Sequence, residues 1–251
     1  MMLMEQTIEK MKSMRLLTMA RSLQARLENK EDKKVNFADF MGLLVDDEFS
    51  ERQNQKIQSR LQSAKFKESS ACLEKLDYEV RSESFKKSIL ELSSNQWAKR
   101  NQNIFLTGPS GVGKSFIAQS LGNNACRNGL STKFFRAGSL YQMLSVARVD
   151  GTLINKMRLL QKTNILIIDD FGLTSMTNEI RQDLFELIED RHGSGSTIFT
   201  SQLPVEKWHE YLGGGMIGDG ICDRLIHNAI RLNLQGESMR KKSTKLTESG
   251  Q

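Results

Sequence analysis

Two hydrophobic rhythms divide the chain. In the first hundred residues apolar positions recur at three- and four-residue steps: Ile8, Met11, Leu16, Met19 and Leu23 form one series with Arg15, and Phe37, Phe40, Leu43 and Leu44 begin another. That spacing puts them on one face of a helix. Residues 54–70 hold few large apolar side chains beyond Ile57, Leu61 and Phe66, so they read as a solvated helix with a basic face. From Asn103 onward the rhythm changes to short β-type runs at 104–106, 133–136, 165–168, 197–200 and 230–234, separated by helical stretches. Alternation of this kind predicts an α/β fold with a five-stranded parallel sheet between helices. The clearest helix covers 178–192, where Ile180, Leu184, Leu187 and Ile188 make one stripe and Gly193 stops it. The predicted organisation is a helical N-terminal domain, 1–80, followed by a nucleotide-binding domain, 81–251, with a short basic tail.

Composition narrows the class. The 251 residues are 38% hydrophobic and 26% charged with two prolines, the balance of a helix-rich globular protein. No segment approaches the roughly 20 apolar residues of a membrane span, so a cytoplasmic protein with no membrane partner is expected. Cys72, Cys126 and Cys222 are widely spaced, and His192, His209 and His227 lack metal-ligand spacing, which argues against a disulfide framework or zinc site. The net charge of +6 is unevenly placed. Between Leu121 and Ile168 the only acid is Asp150, and the window 52–67 contains bases and no acid.

The chemistry begins at Gly108. Gly108, Pro109, Ser110, Gly111, Val112, Gly113, Lys114 and Ser115 fit G-x-x-x-x-G-K-[ST], after an apolar run and before a helix that opens with Phe116. Glycines let successive N–H groups turn toward phosphate oxygens, and the helix N-terminus adds its dipole. Lys114 would neutralise the β- and γ-phosphates of ATP, and Ser115 would ligate Mg²⁺. A second run, 164–170, ends in paired carboxylates: Asp169 would reach the Mg²⁺, and Asp170 would orient the attacking water. With one strand between the two motifs in sequence, the Asp169 strand and the phosphate loop are expected on neighbouring strands, with 133–136 further out. The run ending Phe199-Thr-Ser-Gln202 suggests a γ-phosphate sensor at Gln202, with Thr200 or Ser201 as substitutes. Gly213-Gly-Gly215-Met-Ile-Gly218 also matches G-x-G-x-x-G, but without a βαβ setting it reads as a flexible loop. Arg224 beyond it is either a finger for a neighbouring subunit's ATP or an ordinary surface arginine.

Met11-Lys-Ser-Met-Arg15-Leu16, the 37–51 block, Arg52 through Phe66, the phosphate loop, Leu166-Ile-Ile-Asp-Asp-Phe-Gly172, Thr200-Ser-Gln-Leu-Pro204, Asp223-Arg-Leu225 and Gly236-Glu-Ser-Met-Arg240 together resemble a specific family. It is the IstB-like ATP-binding helpers of insertion-sequence transposition, relatives of the DnaC helicase loader within the AAA+ class. The resemblance covers almost the whole chain. It implies an AAA+ P-loop core with a reduced or absent lid, and an ATP-dependent regulator that assembles as a homo-oligomer, from dimer to ring or filament, on double-stranded DNA. It also implies recruitment or stimulation of a transposase. Arg224 would be the finger and Arg240 a second nucleotide sensor. Many AAA+ ATPases carry Glu where this chain has Asp170, so slow, DNA- and oligomer-dependent hydrolysis is expected.

The basic windows supply candidate phosphate contacts without sequence readout: Arg52, Lys56 and Arg60 in one, Arg148, Lys156 and Arg158 in the other. Solvated helix faces explain the same charges. Two other functions remain open on sequence alone, a DnaC-like loader of a replicative helicase and a P-loop small-molecule phosphotransferase.

Overall fold

The computed structural model describes residues 2–29, 35–78 and 82–236. The order of elements is α1 (Met2–Ser13), α2 (Leu17–Glu28), α3 (Phe37–Ala64), α4 (Glu83–Ser93), α5 (Gln96–Lys99), β1 (Asn103–Thr107), α6 (Lys114–Arg127), β2 (Thr132–Arg136), α7 (Ala137–Val149) and α8 (Leu153–Gln161). Then come β3 (Ile165–Phe171), α9 (Asn178–Arg191), β4 (Ser196–Ser201), α10 (Trp208–Tyr211), α11 (Gly215–Ile226) and β5 (Ala229–Asn233). Among the described residues no helix is long and apolar enough to cross a membrane.

By its contacts the chain divides inside α3, into Met1–Ser59 and Arg60–Gln251. The expected handover at 80/81 lies outside the described residues. The 60–78 segment joins the second unit because it packs there: Phe66, Leu73, Leu76 and Tyr78 rest on its core. The Glu68 N–H donates to Gln119 Oε1 at 2.8 Å, and Lys133 Nζ donates to Ser63 O at 2.6 Å. The solvated helix expected over 54–70 therefore ends at Ala64, itself fully buried.

In the first unit Met11, Ala20, Leu23 and Leu44 form a small core. The series from Ile8 to Leu23 is not one helix. The chain leaves α1 at Met14 and turns through Arg15 at φ +61, and Leu16 N–H returns to Met11 O at 2.9 Å. Glu48 then caps α2 from a distance, its Oε2 accepting from the N–H groups of Thr18 and Met19 at 3.0 and 2.9 Å. Those N–H groups have no acceptor within their own helix.

The second unit is a parallel five-stranded sheet in the order β2-β3-β4-β1-β5. Successive strand residues face opposite sides, so two cores form. Ile104, Leu106, Ile165, Ile167 and Ile198 pack under α4, α5 and α6. Phe105, Leu166, Ile168 and Phe199 pack under helices α7 to α11, with Trp208 against Phe105 and Phe171 at ring centroids of 4.7 and 4.8 Å. Each fully buried side chain of this size contributes about 1.5–3 kcal/mol.

Two expectations need correction. The Asp169 strand does not neighbour the phosphate-loop strand, because β4 is inserted between them and pairs with both; a strand that follows both motifs in sequence left no sign of this position. The glycine-rich segment is not a loop. Only Gly213 and Gly214 form the turn, and α11 begins at Gly215. Its glycines permit close approach: a Cβ on Gly220 would lie 2.7 Å from the Phe185 ring, and one on Gly218 3.3 Å from His209 O.

Candidate nucleotide site

The carboxyl ends of β1, β3 and β4 open into a cavity of about 420 Å³. Parallel α/β sheets place ligands at this edge. After β1 the chain turns through Gly108 (φ +137), Gly111 (φ +84) and Gly113 (φ +93), conformations that favour glycine. Gly108 has no room for a side chain, since a Cβ there would meet Leu234 O at 2.1 Å. Val112 plugs the loop into the core, while Ser110, Gly111, Gly113, Lys114, Ser115 and Phe116 line the cavity. Lys114, 6% exposed, donates from Nζ to Gly108 O and Pro109 O at 2.8 and 2.7 Å, which holds the ammonium beside the turn.

Asp169, Asp170 and Gln202 line the same cavity. Asp169 is 2% exposed, and its Oδ1 accepts the Thr200 hydroxyl proton at 2.5 Å. Asp170 N–H donates to that same hydroxyl oxygen at 3.0 Å. Ser201 is committed elsewhere, donating to Phe171 O at 2.6 Å and accepting from Leu203 N–H at 3.0 Å. With Thr200 and Ser201 buried and bonded inside the protein, Gln202 is the one of the three that lines the cavity.

The other sequence candidates lie elsewhere. Arg224 is on α11, ion-paired with Glu189, donating to Gly220 O at 3.0 Å and stacked 5.4 Å from the Phe185 ring centroid. It does not line this cavity. Arg240 falls outside the described residues. Arg52 pairs with Glu48 at 2.7 Å and donates to Arg15 O at 2.8 Å. Arg148 pairs with the buried Asp183. Lys56, Lys156 and Arg158 are exposed, and Arg60 is partly buried.

Two contributions to the cavity come from residues outside the sequence motifs. Arg136, at the carboxyl end of β2, lines the cavity with Nε 4.0 Å from Asp170 Oδ2; its position at the end of a strand was a usable signal. Lys67, Glu68, Lys75, Leu76 and Asp77 close another side, from a segment with no periodicity to announce it.

The donor set fits a magnesium nucleotide. Ser115 and Asp169 offer hard oxygen ligands to one cavity, which Gly111 and Gly113 of the turn also line. Among the described residues no group of three His, Cys, Asp or Glu could hold a metal by itself. A cation here would share its coordination with phosphate oxygens.

A family pattern described as "IstB-like ATP binding protein" matches residues 9–247. An insertion-sequence ATP-binding protein of Sinorhizobium fredii is 39% identical over 240 residues, covering 96% of this chain and 98% of that one. The IS21 ATP-binding protein of Pseudomonas aeruginosa is 30% identical over 220 residues, 88% of this chain and 83% of its own. Among solved structures the DnaC helicase loader aligns at a TM-score of 0.57 with 18% identity, covering 66% of this chain and 97% of the loader. DnaA of Aquifex aeolicus bound to AMPPCP aligns at 0.55 with 20% identity, over 71% of this chain and 55% of DnaA. The structural likenesses establish the AAA+ P-loop fold.

Proposed function

This chain belongs to the IstB-like ATP-binding protein family, and from that premise we propose that it is a slow AAA+ ATPase that assembles on duplex DNA with little sequence preference and recruits or stimulates a transposase in the cytoplasm. The observation that carries the reading is the convergence of Lys114, Ser115, Asp169, Asp170 and Gln202 on one cavity, with Arg224 outside it.

In this reading Gly108 to Phe116 cradle the ATP phosphates. Lys114 leaves the Gly108 and Pro109 carbonyls for the β- and γ-phosphates. Ser115 and Asp169 would hold Mg²⁺, which when bound neutralises phosphate charge. Asp170 orients the water that attacks the γ-phosphorus, and Gln202 contacts the γ-phosphate, giving ADP and inorganic phosphate. Arg224 would act on a neighbouring subunit's nucleotide after exchanging Glu189 for phosphate, with Arg240 a further sensor. An arginine supplied this way contributes about 10³–10⁵ in rate, so hydrolysis requires an oligomer.

For DNA, the exposed Lys56, Lys156 and Arg158 are the readiest phosphate contacts, with the partly buried Arg60 a further candidate. Arg52 and Arg148 would first have to give up their carboxylates. Such contacts position a protein without reading bases.

The test is ATP hydrolysis with and without duplex DNA, in mixtures of Lys114→Ala and Arg224→Ala proteins. Each variant alone should be inactive, and mixing should restore part of the activity, because one supplies an intact pocket and the other an intact arginine. Activity of Arg224→Ala alone at the wild-type level, or hydrolysis indifferent to duplex DNA, contradicts the reading. Parallel pull-downs with the transposase and a replicative helicase distinguish it from helicase loading.

A further inference from the structure

We propose that Thr200 is a positioning residue for ATP hydrolysis, its single hydroxyl fixing the Asp169 carboxylate and the main chain of Asp170 together. The proposal rests on the hydrolysis reading above.

The register of β3 against β4 carries the case. Ile168 pairs with Phe199 and Phe171 with Ser201, so Asp169 and Asp170 together oppose the one residue Thr200. This is a bulge, and it re-aims side chains. In a regular strand two successive carboxylates point to opposite faces, yet both acids line one cavity. The bulge is what permits that.

It is also a strained arrangement. Asp170 sits at φ +60, in the left-handed region, which costs a non-glycine residue on the order of 1 kcal/mol or more and persists only where its surroundings enforce it. Thr200 provides the enforcement. Its oxygen takes the Asp170 N–H at 3.0 Å, and its proton goes to Asp169 Oδ1 at 2.5 Å. A hydroxyl has one proton to give, so the two bonds fix its orientation and commit one of the two Asp169 oxygens. Thr200 is fully buried and does not line the cavity, so it acts through the acids and never touches the nucleotide.

The experiment compares wild type with Thr200→Val and Thr200→Ser, measuring nucleotide affinity with and without Mg²⁺, and kcat and KM for ATP. Thr200→Val should bind metal-free ATP within about twofold of wild type, lose about tenfold or more of the affinity gained with Mg²⁺, and lose about 10- to 100-fold in kcat, the range for partners that orient metal ligands. Thr200→Ser, which keeps the hydroxyl, should recover both properties to within about threefold. Should the valine variant fail to melt cooperatively, Thr200→Ala serves in its place. A folded hydroxyl-free variant with wild-type kcat and wild-type Mg²⁺ dependence overturns the proposal, as does a folded serine variant as impaired as valine. A wild-type protein that binds ATP without hydrolysing it sinks the hydrolysis reading instead, and the metal-dependence of affinity still decides on Thr200.

Discussion

Arg136 and Asp170 face each other across the carboxyl edge of the sheet, Nε to Oδ2 at 4.0 Å, from strands β2 and β3 that lie side by side. Both side chains are partly exposed, so the pair adds little to stability. Under the proposed function, this cation and acid would share the space beside the γ-phosphate. Arg136→Ala should weaken ATP binding by about tenfold and ADP binding much less, since charge-assisted contacts to the γ-phosphate are lost. Titration with both nucleotides checks this, and equal losses would place Arg136 away from the γ-phosphate.

Gly108 gives a steric prediction. Alanine there would put a Cβ 2.1 Å from Leu234 O at a φ of +137, so either the loop or the end of β5 must move. Gly108→Ala should abolish nucleotide binding and cost at least about 2 kcal/mol of stability. Gly129→Ala is the control. It shares a positive φ but meets nothing within 4 Å, so only the backbone cost of about 1–2 kcal/mol applies. Thermal melts of the two variants should separate them clearly.

The strands and the phosphate loop were legible because they obey local rules: the apolar run from Ile165 to Ile168 is short and mostly β-branched, which favours a buried strand over a helix, and the lysine after the glycines has a chemical purpose. Strand order was not legible, since the insertion of β4 between β3 and β1 is a long-range choice. Nor was the bulge at Asp169 and Asp170, which depends on the residue opposite. The glycines of α11 were misread as loop formers when their missing side chains serve packing against Phe185 and His209. Charge was the least reliable guide. Arg52 and Arg148 looked like free cations in sequence, yet Arg52 holds Glu48 one turn back on its own helix, and Arg148 holds Asp183 of α9.

Arg148 therefore makes a pH prediction. Burial pushes the Asp183 carboxyl above its ordinary value, and Arg148 pulls it back down. Ionised Asp183 is a cost that Arg148 offsets, and the protonated acid needs no such partner. Arg148→Ala should destabilise the protein by about 1–3 kcal/mol at neutral pH, discounted from a fully buried pair because Arg148 is half-exposed. The deficit should shrink as pH falls and Asp183 takes up a proton. Denaturant melts of both proteins from pH 5 to 8 check the trend, and a deficit constant with pH would contradict it. Any DNA-binding defect of this variant has to be judged against that instability.

The N-terminal unit should respond to acid in the opposite sense. Hydrogen bonds led by Met19 N–H hold Glu48 below the usual carboxylate value, and Ser22 and Arg26 do the same for Asp47. A depressed folded pKa stabilises fully above the unfolded value, about 4.3 for glutamate, and the contribution is lost as pH falls through the lower folded value. Circular dichroism of the 1–59 region's helices within the full chain should show a transition below about pH 4.3 that Glu48→Gln makes shallower. An unchanged acid limb in that variant would assign the transition to other groups.

In the proposed function, ATP in this cavity drives assembly on DNA. Electron microscopy of the full chain with duplex DNA, with ATP, with ADP and without nucleotide, at two salt concentrations, tests it most directly. Ordered assemblies on the duplex with ATP alone, weakening with salt at a log–log slope of about −0.9 per phosphate contact, are the expected result. Identical DNA occupancy under all three nucleotide conditions, or none under any, would contradict it.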